Sequence, residues 1–113
     1  MAKLETYLRG NFSEILTRIE KGVLKGSVSA TLEDGSNFAR GNFRCAVRVF
    51  ERYSMAGGNR LSMNVTLIDD GQWVFLSAIT AGGSKATFFK INTIGEESFL
   101  NMLKELVAGY ERI

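Results

Sequence analysis

From Asn42 to Asn92 apolar residues alternate with polar or basic ones, and short glycine-rich turns break the run. A period of two means that successive side chains point to opposite sides of an extended backbone, so the middle of the chain is expected to form antiparallel sheet. The stretch contains no histidine, and neither does the rest of the chain. The side chain that most often serves as general base and transition-metal ligand is therefore missing.

The alternation divides into strands at its turns. Phe43–Tyr53 is the longest clean example, with Phe43, Cys45, Val47 and Val49 on one side and Arg44, Ala46, Arg48, Phe50 and Arg52 on the other. After a glycine-rich loop at Ser54–Asn59, Arg60–Asp69 sets Leu61, Met63, Val65 and Leu67 against Ser62, Asn64, Thr66 and Ile68. Asp70-Gly71 is a tight-turn pair leading to Gln72–Thr80. That strand is apolar on both sides, Trp73, Phe75 and Ile79 opposite Val74, Leu76 and Ala78, so something other than water is expected to cover each. The loop Ala81–Lys85 then precedes a last expected strand, Ala86–Asn92.

Helical spacing frames this sheet. Asn11 followed by Glu14 reads as a helix cap, and Phe12, Ile15, Leu16, Ile19 and Val23 follow at intervals of three and four, with Gly22 as the expected stop. Glu14 and Arg18 are placed to pair along that helix. Thr93 with Glu96 reads as a capping box for a second helix, whose stripe is Phe99, Leu100, Leu103, Leu106, Val107 and Tyr110. Before the first helix, Ala2–Arg9 alternates enough for a short strand. After it, Val28, Ala30 and Leu32 against Ser27, Ser29 and Thr31 suggest a half-buried strand, and Asp34–Gly41 reads as a polar loop containing Phe38. The expected architecture is α+β: a two-layer sandwich in which a mainly antiparallel meander of five or six strands carries an N-terminal and a C-terminal helix on one face.

At 113 residues the chain suits one domain, 1–113, able to bury a core without staples. Its 45% hydrophobic and 23% charged residues are ordinary globular composition. Cys45 has no internal disulfide partner, no apolar signal core follows Met1, and no apolar run approaches a membrane span. A cytoplasmic protein without membrane attachment is expected. A net charge of +2 argues against general nucleic-acid affinity.

Cys45-Ala46-Val47-Arg48-Val49-Phe50-Glu51-Arg52-Tyr53, Gly57-Gly58-Asn59-Arg60 and Phe88-Phe89-Lys90-Ile91-Asn92-Thr93 resemble an uncharacterised family of small proteins from mainly Gram-positive bacteria, one of the numbered domains of unknown function. The resemblance implies a small bacterial cytosolic protein and carries no activity, cofactor or site residue.

The candidate site is the arginine stripe. Arg44, Arg48 and Arg52 recur every fourth residue, so all three leave one side of the strand at intervals of about 13 Å, with Phe50 among them and Arg60 close in sequence. The stripe reads either as a solvated outer face or as a surface for an anionic small molecule, a protein partner or a second copy. Gly82-Gly83-Ser84-Lys85 resembles the end of a phosphate-binding loop but lacks its first glycine and precedes a strand-like segment, which favours a turn. Cys45, among apolar neighbours, reads as a buried structural thiol. Asp69-Asp70 and Glu96-Glu97 have local structural explanations, and no metal-ligand spacing or cofactor motif joins them. The leading expectation is a non-enzymatic binding or assembly protein, a homodimer, acting through Arg44, Arg48, Phe50, Arg52 and Arg60. The alternatives are a small histidine-free enzyme near the two glycine-rich loops, or an apolar small-ligand carrier using the space between sheet and last helix.

Overall fold

A computed structural model describes residues 1–53, 60–82 and 89–111. Its elements are β1 (Ala2–Leu8), α1 (Phe12–Gly26), β2 (Thr31–Arg40), β3 (Phe43–Tyr53), β4 (Arg60–Asp69), β5 (Val74–Gly82), α2 (Phe89–Val107) and a 3-10 turn, Ala108–Tyr110. The five strands form an open antiparallel sheet in the order β1-β5-β4-β3-β2. The α+β expectation holds, and β1 pairs with β5 to complete the sheet.

Both helices lie on one side because only one side of the sheet supplies a continuous apolar layer. Leu8, Ala46, Phe50, Leu61, Met63, Val65, Leu67, Val74, Leu76 and Ala78 are buried there against Ile15, Ile19 and Val23 of α1 and Phe99, Leu103 and Val107 of α2. α2 packs on β1, β4 and β5, whereas α1 packs on α2 and reaches β2 and β3.

The Asn11 side chain caps α1 as expected, accepting the Glu14 N–H at 2.9 Å. Gly22 does not stop the helix, which runs to Gly26. A Cβ at Gly22 would lie 2.3 Å from Leu106 Cδ2, and one at Gly26 2.5 Å from Met102 Sδ. These glycines therefore let α1 and α2 approach closely, a packing role that outweighs glycine's cost of about 1 kcal/mol within a helix. Glu14 and Arg18 also depart from the expected pairing. Arg18 Nε donates to the Leu106 carbonyl at 2.7 Å, and Glu14 Oε1 accepts from Tyr110 Oη at 2.8 Å. Both are used to dock the C-terminal region.

The segment after α1 overturns two expectations. Val28 is fully exposed in a turn, and the strand begins at Thr31 and continues through the supposed polar loop to Arg40. Every residue of β2 is exposed. An edge strand uncovered on both sides has no need of a buried alternate position, so its sequence lacks the period that reveals half-buried strands. Its ladder with β3 slips between Leu32 and Asp34, a bulge of the kind that keeps sheet edges from pairing indiscriminately.

At the other hairpin, Gly71 has φ +92° and Asp70 Oδ1 accepts the N–H groups of Gln72 and Trp73 at 2.9 and 2.8 Å. The Trp73 and Gln72 bonds hold the Asp70 carboxyl below its ordinary range. The expected last strand does not survive. Residues 89–92 belong to α2, while 86–88 lie outside the described residues, as do the loop 54–59 and the Gly83-Ser84-Lys85 part of the supposed phosphate loop. With α2 starting at Phe89, Thr93 and Glu96 are interior rather than capping residues. Local preference for strand in such short aromatic and β-branched runs is weak and yields to tertiary context.

Candidate functional site

The three arginines of β3 do share one face, but it is the helix-covered one. Phe50, between Arg48 and Arg52, is fully buried and has no surface to offer a partner. Arg48 is 9% exposed. Its Nε donates to Glu20 Oε2 of α1 at 2.8 Å, Nη1 to the carbonyls of Ser36 and Val47 at 3.1 and 2.8 Å, and Nη2 to Asn37 Oδ1 at 2.8 Å. A buried cation needs such compensation, and Gly35 makes room for it, since a Cβ there would lie 2.9 Å from Arg48 Cδ. Arg52 stacks over Phe99 at 4.3 Å and donates to Ser98 Oγ at 3.3 Å. Burial lowers its guanidinium from the ordinary value. Arg44 lies over Phe12 at 4.5 Å and donates to Ser13 Oγ at 3.0 Å.

Arg60 belongs to the opposite face, where it pairs with Glu51, lies 3.6 Å from Glu33 and covers Tyr53. The expected five-residue site is thus divided: Arg44, Arg48 and Arg52 knit the helices to β3, Phe50 fills the core, and Arg60 ties β4 to the β2–β3 edge. Alternation was right about which residues share a face and silent about which face is covered.

The uncovered face has different chemistry. Direct cross-strand pairing aligns Tyr7 with Phe75, Phe75 with Ile68, Ile68 with Cys45, and Cys45 with Phe38. This row crosses all five strands of the sheet. Tyr7 and Phe38 at its ends are 51% and 55% exposed, and no helix lies over it among the described residues. Tyr7 contacts Phe75 with ring centroids 5.3 Å apart, and Phe38 meets Phe43 edge-on at 6.1 Å. Beside the row, Arg9 stacks on Trp73 at 5.1 Å. Cys45 is accordingly half-buried on this open face, and not in the core as its apolar neighbours suggested. Sequence reasoning missed Phe38, Phe43 and Tyr7. The signal that could have found them was the two-sided apolar character of Gln72–Thr80, which already required a second covered face.

On β4 and β5 the outward positions Ser62, Asn64, Thr66, Ile68, Phe75, Ser77, Ile79 and Ala81 carry no charge. Charges lie toward the margins: Lys3, Glu5 and Arg9 at the β1 side, Asp34 and Arg40 at the β2 side, and the Glu51–Arg60 pair at one end. An uncharged centre, apolar along one row and polar beside it, with charges at the margin suits a protein contact surface.

One further anomaly lies in α2. Glu96 is 5% exposed on the helix's buried stripe, and Oε2 has no aligned hydrogen-bond donor among the described residues, although the Met1 amino group stands 3.1 Å away. Distance makes this an ion pair and direction keeps it from being a hydrogen bond. Among the described residues no group of three His, Cys, Asp or Glu side chains could hold a metal ion, and no helix is long and apolar enough to cross a membrane.

No curated protein matches the chain. The model of a family of unknown function, DUF6054, matches residues 1–111, and the chain belongs to that family.

Proposed function

We propose that this chain is a non-enzymatic assembly module that forms a homodimer through the open face of its sheet. The observation that carries this reading is the uninterrupted row Tyr7–Phe75–Ile68–Cys45–Phe38 on a face without helices. With strands about 4.8 Å apart and about 3.4 Å per residue, the face measures roughly 24 by 30 Å, on the order of 700 Å². That is close to the ~800 Å² each partner contributes to a standard interface. A cytoplasmic setting suits the unpaired Cys45 on this face.

The registers fix which residues meet in one such arrangement. A two-fold axis along β4, between two stacked sheets, sets β1 of each copy over β2 of the other. Tyr7 then meets Phe38, Phe75 meets Cys45, Ile68 meets its own copy, and Lys3 faces Asp34, since Lys3 and Asp34 end the same cross-strand row.

Sedimentation at micromolar concentration should give twice the chain mass. Phe38→Asp, at an exposed edge position, should give a folded monomer whose melting no longer depends on protein concentration. Lys3→Asp should weaken the dimer and the double variant Lys3→Asp, Asp34→Lys should restore it. Monomer for the unmodified protein would remove the reading. A dimer that withstands Phe38→Asp would place the contact elsewhere.

A further inference from the structure

On the helix side the sheet is wider than its cover. α1 packs mainly on α2, and β2 projects beyond it with every residue exposed. Between α1 and the β2–β3 hairpin this leaves a groove of about 500 Å³ whose lining includes Phe12, Leu16, Asn37, Ala39, Arg44 and Arg48. That volume falls within the usual range for small-molecule sites, about 300–1,000 Å³.

The polar groups of the groove are unequally satisfied. Arg48 donates to four acceptors and its charge is met by Glu20 at 2.8 Å. Arg44 bonds only the neutral Ser13 hydroxyl and a ring face, and no carboxylate lies within ion-pair distance of it among the described residues. The groove therefore holds an excess of one positive charge beside the apolar surfaces of Phe12, Leu16 and Ala39. The Phe12 ring and Ser13 hold the guanidinium in place, and its remaining N–H donors suit the two oxygens of a carboxylate.

We infer that this groove binds a small amphipathic monocarboxylate, its apolar tail along Phe12, Leu16 and Ala39 and its carboxylate on Arg44. The groove opens beside α1, and Phe38 and Cys45 of the outward row also contribute to its lining, so only part of its wall is shared with the dimer contact. It also gives a role to Arg44, which bonds no acidic partner among the described residues.

Calorimetric titration with decanoate, and with decanol as the uncharged counterpart, tests it. Decanoate should bind saturably at one site per chain and more tightly than decanol. Arg44→Gln should weaken decanoate about tenfold, equivalent to about 1.4 kcal/mol, and leave decanol unchanged. Leu16→Ser should weaken both, and Ile68→Asp on the open face should change neither. Failure of decanoate to saturate, equal affinity in Arg44→Gln, or loss of binding in Ile68→Asp would each overturn the assignment. Loss in Ile68→Asp would place the tail on the open face. Because Arg44 is exposed, its replacement leaves the core intact, and an unchanged melting curve for Arg44→Gln verifies that the readout is binding.

Discussion

The two faces of β3 invert the usual partition of residues. Beneath the helices the strand carries Arg44, Arg48 and Arg52 around Ala46 and Phe50. The side without helices carries Cys45, Val47 and Val49. Arginine can lie inside because α1 and β2 bring acceptors to it, above all Glu20 and Asn37 for Arg48. Apolar residues can lie outside when another surface comes to cover them. Residue chemistry thus follows the partners available at each face, and the identity of the inner face is set by the helices.

The largest effect that tests this contrast is removal of Phe50. With the ring fully buried, Phe50→Ala should cost about 3–5 kcal/mol in denaturant melts. The same change at half-exposed Phe38 should cost clearly less, since half of its ring is already in water before any partner covers it. Equal effects would show that the faces are not distinguished as described.

Next in size is the buried arginine. Arg48→Met leaves Glu20 without its partner, and because Glu20 is 29% exposed the loss should be about 2–4 kcal/mol, somewhat below that of a wholly buried pair. Changing Glu20 to Met as well should recover much of it, as an apolar pair replaces a desolvated ionic one. A double variant no more stable than Arg48→Met would mean that the Ser36, Val47 and Asn37 bonds, and not the ion pair, dominate.

A smaller loss is expected at the helix crossing. Gly22→Ala improves helix propensity by about 1 kcal/mol but presses a methyl group into Leu106, where overpacking costs about 1–3 kcal/mol. The net should be a modest destabilisation, relieved when Leu106 is also shortened to Ala. If Gly22→Ala alone stabilises the protein, Leu106 turns aside freely and the close approach is not required.

The smallest effect lies at the Asp70 turn. Its carboxyl is lowered from 3.8 in the folded chain, chiefly by the Trp73 N–H and then by that of Gln72. This stabilisation is complete above the unfolded value and is lost as pH falls through the lower folded one. Asp70→Asn should keep the turn, because an amide oxygen also accepts those bonds, while flattening the acid end of the stability curve. An unchanged acid limb would assign that dependence to other carboxylates.

Where burial imposed a period, the elements could be read directly. β4 shows each inward residue, Leu61, Met63, Val65 and Leu67, at alternate positions, and α1 and α2 show their stripes. β2 could not be read because exposure on both sides imposes no pattern. Gly22 misled because a glycine at a helix crossing and one at a helix end look alike in one dimension. Of the candidate site, the shared face of Arg44, Arg48 and Arg52 was legible. The α1 cover that buries Arg48, and the groove beside Arg44, were not.

By itself the sequence determined the α+β class, the apolar stripes of both helices and the grouping of side chains by face, since these follow from local backbone periods of two and about 3.6. Tertiary structure decided which face of the sheet the helices occupy, where β1 pairs, and that the arginines of β3 turn inward. Those outcomes depend on groups far apart in the chain, such as Glu20 meeting Arg48 and Leu106 meeting Gly22, and no local period encodes a partner at that distance.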